Sequence, residues 1–273
     1  MLGSAVTRIF RAAGHDVHAV DHRALDITNR AAVEDLTRRV QPEAIINCAA
    51  FNDVDGAEDD PALALRVNAI AIIGLARAAR DHAAVLVHYG TDFVFDGLAS
   101  RPYVESDPPN PQSVYASSKL LGEYLAADAP RHYVLRVESL FGFAGSGSTT
   151  RRGSLGTIVE RLRRAETVPV FVDRTASPAL TDDVADATRR LIESGADSGL
   201  YHCVNDGAAT WLEIAQQAAH LLGVELKAQP LTVDAVKLKA RRPRFCALSP
   251  ARLASLGIVM PDWRDALRRY LNG

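Results

Sequence analysis

Short runs of β-branched and apolar residues alternate with longer stretches of helical periodicity through the first two thirds of the chain. This alternation constrains the fold more than any other feature, because neighbouring parallel strands need a long crossover and a helix is the usual one. Strands are predicted over residues 16–21, 43–50, 84–90, 132–138 and 168–172. The helices between them carry start signals. Asp60 is an N-cap followed by Pro61 in the first turn, ahead of a pattern that runs to about His82. Thr181 opens another helix with two acids behind it, and Thr210 with Glu213 forms a capping box before IAQQAAHLL. The predicted class is α/β with a parallel sheet. Residues 141–156 are Gly/Ser-rich without an apolar face and are predicted to form a mobile loop leading into a second, smaller region. After about Gly199 the strands shorten and prolines become more frequent, which predicts a small α+β part that covers the substrate.

Composition narrows the function classes. The 273 residues are 48% hydrophobic and 23% charged, which fits a globular protein of one or two domains and excludes disorder and collagen-like repeats. No apolar run is read as approaching the roughly 18 residues that cross a bilayer, and MLGSAVTRIFRAAGHD lacks a signal-peptide layout. The expectation is a cytoplasmic protein without a membrane partner. A net charge of −2 and the lack of a basic stripe argue against nucleic acid. Cys48, Cys203 and Cys246 are odd in number and widely spaced, and the eight histidines have no metal-ligand spacing, so neither a disulfide framework nor a metal site is predicted. Of 31 basic residues only Lys119, Lys227, Lys237 and Lys239 are lysines, which singles out a lysine as a cation that arginine has not replaced.

Tyr115 and Lys119 stand four residues apart at the start of a helical pattern, so phenol and ammonium share one face. A phenol titrates near 10 in water, and a nearby ammonium favours the phenolate and moves it toward working range as a proton donor. The compact lysine head can also bond a ribose hydroxyl. An ordinary surface pair would have the same spacing, so the context matters. The segment LVHYGTD reads as a buried strand ending in Thr91 and Asp92, and ligands of open parallel sheets bind beyond such strand ends. Thr91 is placed to donate to a carbonyl oxygen. The strand IINCAA also ends in small residues, compatible either with close approach of a flat ring or ribose or with plain core packing. Asp21, at the end of HDVHAVD, suits the adenosine ribose of NAD, whereas Arg23 suits the 2′-phosphate of NADP, so both NADH and NADPH stay open. Asp26 and Ile27 are placed to flank the adenine.

The runs INCAAFNDVDGAEDDPALALRVNA, VHYGTDFVFDG, RPYVESDPPNPQSVYASSKLLGE and PDWRDALRRYL resemble the dTDP-4-dehydrorhamnose reductase family, a branch of the extended short-chain dehydrogenases/reductases, in order and over nearly the whole chain. Thr91 precedes Tyr115 by 24 residues, a specific part of that likeness. The resemblance implies a Rossmann-type, doubly wound NAD(P)-binding domain over residues 1–142, completed by a segment returning near 166–195, and a substrate-binding region over 143–273. It implies Thr91, Tyr115 and Lys119 as the catalytic set, with Asp92 near the substrate. Ala49, Ala50, Phe51 and Tyr89 would lie along the cofactor, and Asn68 beneath the site. The implied reaction is hydride transfer from NADPH or NADH to the C4 ketone of a nucleotide-linked 6-deoxyhexose, with Tyr115 protonating the alkoxide and Thr91 stabilising it. A homodimer stays open, since the sequence does not set the oligomeric state.

Two departures bear on this. The family opens with a first strand and a glycine-rich phosphate turn, whereas this chain opens Met1-Leu2-Gly3, with Leu2 and Gly3 at the end of that turn. A central strand left out would unpair buried backbone groups at about 1–3 kcal/mol each, so the expectation is a natural polypeptide beginning about ten residues upstream, and weak or absent cofactor binding without them. At residues 136–142 the family typically reads R-T-S-W-V-Y-G, and here Ser139 stands where the tryptophan touches substrate. That change implies a more open, polar pocket and a different nucleotide sugar. Arg174 resembles a substrate-side residue suited to a diphosphate. Two alternatives follow from the same relatives: a non-catalytic regulatory or sugar-nucleotide-binding protein, and a nucleotide-sugar epimerase or dehydratase.

Overall fold

A computed structural model describes residues 1–143 and 153–273. Four parallel strands form its central sheet in the order β1-β2-β3-β6: β1 Ala44–Asn47, β2 Val85–Thr91, β3 His132–Val137 and β6 Gly199–His202. Strand β2 is buried at every position, because helices cover both faces. Its alternate residues Val85, Val87 and Tyr89 pack on one face with Leu2, Val6 and Phe10 of α1 (Leu2–Ala12) and Val184 and Leu191 of α6 (Thr181–Ser194). On the other face Leu86 packs with Ile72, Leu75 and Ala79 of α3 (Pro61–Asp81), Val33 of α2 (Arg30–Val40) and Ala126 of α4 (Val114–Ala126).

The start signals act as predicted. Asp60 Oδ1 accepts the amide of Leu63 at 2.9 Å. Thr181 begins α6 with Asp182 and Asp183 in its first turn. Thr210 and Glu213 close a reciprocal capping box on α7 (Trp211–Leu222). Helix α3 departs from one expectation: by length and composition it could span a bilayer, with a mean hydropathy of 1.6, yet half of that stretch is buried inside the protein. Its apolar length follows from packing on the sheet.

The strand expected over residues 16–21 is absent: among the described residues this segment joins no ladder, and most of it is exposed. A strand needs a neighbour for its N–H and C=O groups, and the outer edge of β1 pairs with nothing among the described residues. Most of the predicted mobile loop, residues 144–152, lies outside the described residues.

A second apolar cluster lies under the later helices. Leu155, Ile158 and Leu162 of α5 (Ser154–Arg163) meet Ile214 and Ala218 of α7 and Trp263 and Leu267 of α8 (Trp263–Asn272). Beside them β4 (Val168–Phe171) pairs in parallel with β8 (Ala228–Leu231), and β5 (Thr175–Ala176) pairs antiparallel with β7 (Ala209–Thr210).

Candidate active site

The carboxyl end of β2 meets the first turn of α4. Ser113 caps that helix by accepting the Ala116 amide at 3.2 Å, and the fixed first turn carries Tyr115. The Tyr115 hydroxyl lies beside Thr91, at the end of β2, and the Thr91 hydroxyl favours the phenolate. Thr91 Oγ1 donates to Asp92 Oδ1 at 3.1 Å. Thr91, Asp92, Tyr115 and Lys119 are all buried, so the structure brings four predicted site residues together in a water-excluded corner.

The electrostatics differ from the expectation in one respect. Burial raises the Tyr115 phenol above its ordinary range, with the Thr91 hydroxyl pulling only part of the way back. Lys119 does not reverse this, because its Nζ donates to the Tyr89 carbonyl at 2.5 Å. Burial also lowers Lys119 to about 8, against the attraction of Glu123. The tyrosine is therefore held protonated at neutral pH, the form an acid needs before it donates.

Behind this corner lie partners that spacing did not reveal. Asn68 sits in a π-helical turn, Arg66–Ile70, within α3. The wider turn aims its amide: Oδ1 accepts from Phe51 N at 2.8 Å, and Nδ2 donates to Phe51 O and Ser118 Oγ, each at 3.0 Å. Asn68 thus ties the loop after β1 to α4. Gly122 permits the approach, since a Cβ there would lie 2.1 Å from the Asn68 carbonyl oxygen. Gly90 plays the same part on β2, where a Cβ would lie 2.2 Å from Glu123 Oε1. Glu123 instead pairs with Arg136 of β3 at 2.7 Å, both groups buried.

The other predicted residues are distributed as follows. The uncapped start of α1 brings Leu2 and Gly3 against the end of β1, with a Gly3 Cβ position 3.5 Å from Cys48 Cβ. Ala49 and Ala50 follow on that loop, and the Ala49 amide donates to Asn47 Oδ1 at 3.1 Å. Tyr89 reaches the site only by its carbonyl, since its hydroxyl bonds Thr188 Oγ1 of α6 at 2.8 Å. Asp21 and Asp26 are exposed, and each stabilises its own turn by accepting amides, of Arg23 and Ala24 in one case and Thr28 in the other. These bonds hold both carboxyls below their ordinary range. Arg23 is exposed beside Asp21, and Ile27 lines a groove of about 260 Å³ with Arg66, Gly74 and Arg77.

On the far side of Tyr115 the ring of Phe93 meets it edge-on at 6.0 Å. Arg174 stands 5.7 Å from the centre of that ring and Arg242 5.9 Å, so two guanidiniums converge there. Arg242 is anchored by Asp55 at 3.0 Å and carries no sequence signal that separates it from the other arginines. Ser139, where β3 leaves the sheet, has a φ of 44°, a left-handed conformation that non-glycine residues rarely adopt.

Comparison with known proteins fits this geometry. The sequence profile of the RmlD substrate binding domain matches residues 1–273. The chain belongs to that family. It is 36% identical to a probable dTDP-4,6-dihydroxy-2-methyloxan-3-one 4-ketoreductase of Streptomyces antibioticus, over 98% of this chain and 90% of that one. It is 34% identical to a dTDP-4-dehydrorhamnose reductase of Streptomyces griseus, over 98% and 88%. Among solved structures, the NADP complex of dTDP-4-dehydrorhamnose reductase from Bacillus anthracis superposes with a TM-score of 0.91 at 28% identity, covering 99% of this chain and 95% of that one. The NAD complex of a Thermus thermophilus UDP-glucose 4-epimerase gives 0.83 at 19% identity, over 100% and 95%, a likeness of fold alone. The RmlD-type fold thus accounts for the parallel sheet and the position of the site at its strand ends.

Proposed function

We propose that the protein reduces the 4-keto group of a nucleotide-linked 6-deoxyhexose with NADPH or NADH, as a cytoplasmic enzyme. The observation that carries this reading is the buried grouping of Tyr115, Thr91 and Asp92, with Lys119 one helical turn from Tyr115. Its free cysteines, Cys48, Cys203 and Cys246, fit a reducing compartment.

The residues fit a dinucleotide. The uncapped start of α1 has no acid in its first turn and offers amides to a pyrophosphate, and small Ala49 and Ala50 leave room beside it. Asp21 or Arg23 would meet the adenosine ribose, with Asp26 and Ile27 at the adenine. Phe51 and the Tyr89 carbonyl would line the nicotinamide end, where Asn68 fixes the loop and Lys119 holds the ribose. When bound, the cofactor supplies the hydride. Tyr115 gives its proton to the oxygen of the ketone, and Thr91, turning its hydroxyl away from Asp92, donates to the same oxygen. Residues 1–142, completed by a returning segment that includes α6 and β6, would form the cofactor part, and the rest of 143–273 the substrate part. Arg174, with Arg242, suits the diphosphate of the nucleotide sugar. Ser139 leaves open the space an indole would fill, which favours a sugar other than dTDP-4-dehydrorhamnose.

A non-catalytic role is disfavoured because nothing structural requires a buried tyrosine, threonine and lysine in this arrangement. The test is nicotinamide fluorescence on cofactor titration, then turnover with dTDP-4-dehydrorhamnose and related 4-keto sugars. Tyr115→Phe should lower kcat by about 10²–10⁴-fold with cofactor affinity unchanged. Turnover equal to the parent's would remove Tyr115 from the chemistry.

A further inference from the structure

The carboxylates of Asp92 and Glu138 and the Sγ of Cys246 lie within 4.8 Å of one another, and all three residues are buried. The chemistry above uses only the Thr91 end of this cluster. Each acid is held on one side: Asp92 Oδ1 accepts from Thr91, and Glu138 Oε2 accepts the Ser177 amide at 2.7 Å. Among the described residues Asp92 Oδ2 is buried without a hydrogen bond of ordinary length, and the Cys246 thiol beside Asp92 favours its charged form.

The charges facing the pair are few. Arg174, in the turn between β4 and β5, attracts both carboxylates. Cys246 packs alongside with its thiol turned to the Pro243 carbonyl at 3.6 Å, and burial keeps it a thiol. Tyr115 of α4 is neutral and lies beside Thr91, and Lys119 is turned to Tyr89. One guanidinium balances one carboxylate. A second negative charge in this water-excluded space would stand uncompensated, and such groups take up a proton instead. In keeping with this, burial raises Glu138 well above the ordinary carboxyl range, and its proximity to Asp92 raises it further.

We propose that Asp92 and Glu138 hold one proton between them and that this pair, donor and acceptor at once, grips a sugar hydroxyl next to the reacting ketone. The assignment of the sugar rests on the ketoreductase reading, whereas the shared proton does not. The hydroxyl fits because it donates to one member while accepting from the other, and Asp92 adjoins the threonine whose hydroxyl turns to the ketone oxygen. Glu138 stands where the family resemblance places serine, so this grip is a property of this chain's pocket. It makes Glu138 a specificity-determining residue, which selects sugars that keep that hydroxyl free.

Infrared spectroscopy of the purified protein in H₂O and D₂O reads the proton directly. The expected result is a protonated-carboxyl band at pH 7 that shifts on deuteration and is lost in Glu138→Gln. In kinetics, Glu138→Gln keeps the shape and a hydrogen-bond donor but has no proton to give up, so KM for the sugar nucleotide at pH 7 should rise about two- to tenfold and should not change further with pH. The parent's KM should rise about tenfold per pH unit once the second proton leaves, and Glu138→Gln should abolish that rise. Glu138→Leu should raise KM at every pH with little change in kcat. A spectrum without the band, an equimolar metal ion in the purified protein, or a KM for Glu138→Gln more than tenfold above the parent at pH 7 would overturn the proposal. The band without turnover of any 4-keto sugar upholds the shared proton and overturns the ketoreductase reading.

Discussion

Lys119 shows how a role read from spacing and a role set by packing can differ. The i,i+4 relation to Tyr115 is legible because helix geometry is local, but the ammonium's contact is not, since it depends on which carbonyl β2 presents at Tyr89. Burial lowers Lys119 to about 8, so the group is charged below that pH and neutral above it. If the ammonium orients the cofactor ribose, kcat should fall as pH rises through about 8, a limb that pH–rate profiles at saturating substrate would reveal. Lys119→Met should show low activity, down about 10²-fold, with that limb gone. A parent profile flat from pH 7 to 9.5 would mean that the lysine charge is not used. Thr91, Asp92 and Tyr115 were legible because each belongs to a contiguous motif. Glu138 and Arg242 were not singled out, since their partners lie far away in sequence, at Ser177 and Asp55.

Among the elements, the π-helical turn of α3 was the least legible feature, because RVNAI continues the apolar periodicity of its neighbours and gives no composition signal. Tertiary contact selects it: the turn delivers Asn68 to Phe51 and Ser118, and α4 accepts it only because residue 122 lacks a side chain. Gly122→Ala should therefore cost about 1–3 kcal/mol as α4 or the turn gives way, although alanine is intrinsically the better helix former. Thermal melting would detect that loss, and weaker cofactor affinity should accompany it because the loop carrying Ala49 and Phe51 loses its tie. A variant more stable than the parent would mean that the close approach is not maintained in solution. Caps were legible because Asp60 and Thr210 act on amides within three residues, whereas the strand expected over residues 16–21 depended on a neighbour, which no local pattern supplies.

For the whole molecule, four buried titratable groups set how stability depends on pH. Burial lowers His202 to about 3 and takes His88 well below its ordinary 6.5, so unfolding lets each bind a proton anywhere between its folded value and 6.5. Burial raises Asp92 to about 6 and Glu138 well above 4.5, so unfolding makes each release a proton over the corresponding range. Between about pH 5 and 6 the two histidines favour folding as pH rises and the two acids oppose it, so these four contributions nearly cancel there. Removing one member breaks the balance with a predictable sign. Asp92→Asn leaves two histidines against one acid, so stability relative to the parent should rise with pH by about 1.4 kcal/mol per unit over that window. His202→Gln leaves two acids against one histidine and should reverse the slope. Each change corresponds to a few degrees in melting temperature per pH unit, within reach of scanning calorimetry. Opposite slopes in the two variants are the decisive result, since a merely structural loss would lower both curves without tilting them. If both variants stay parallel to the parent, the buried groups do not titrate as their surroundings dictate.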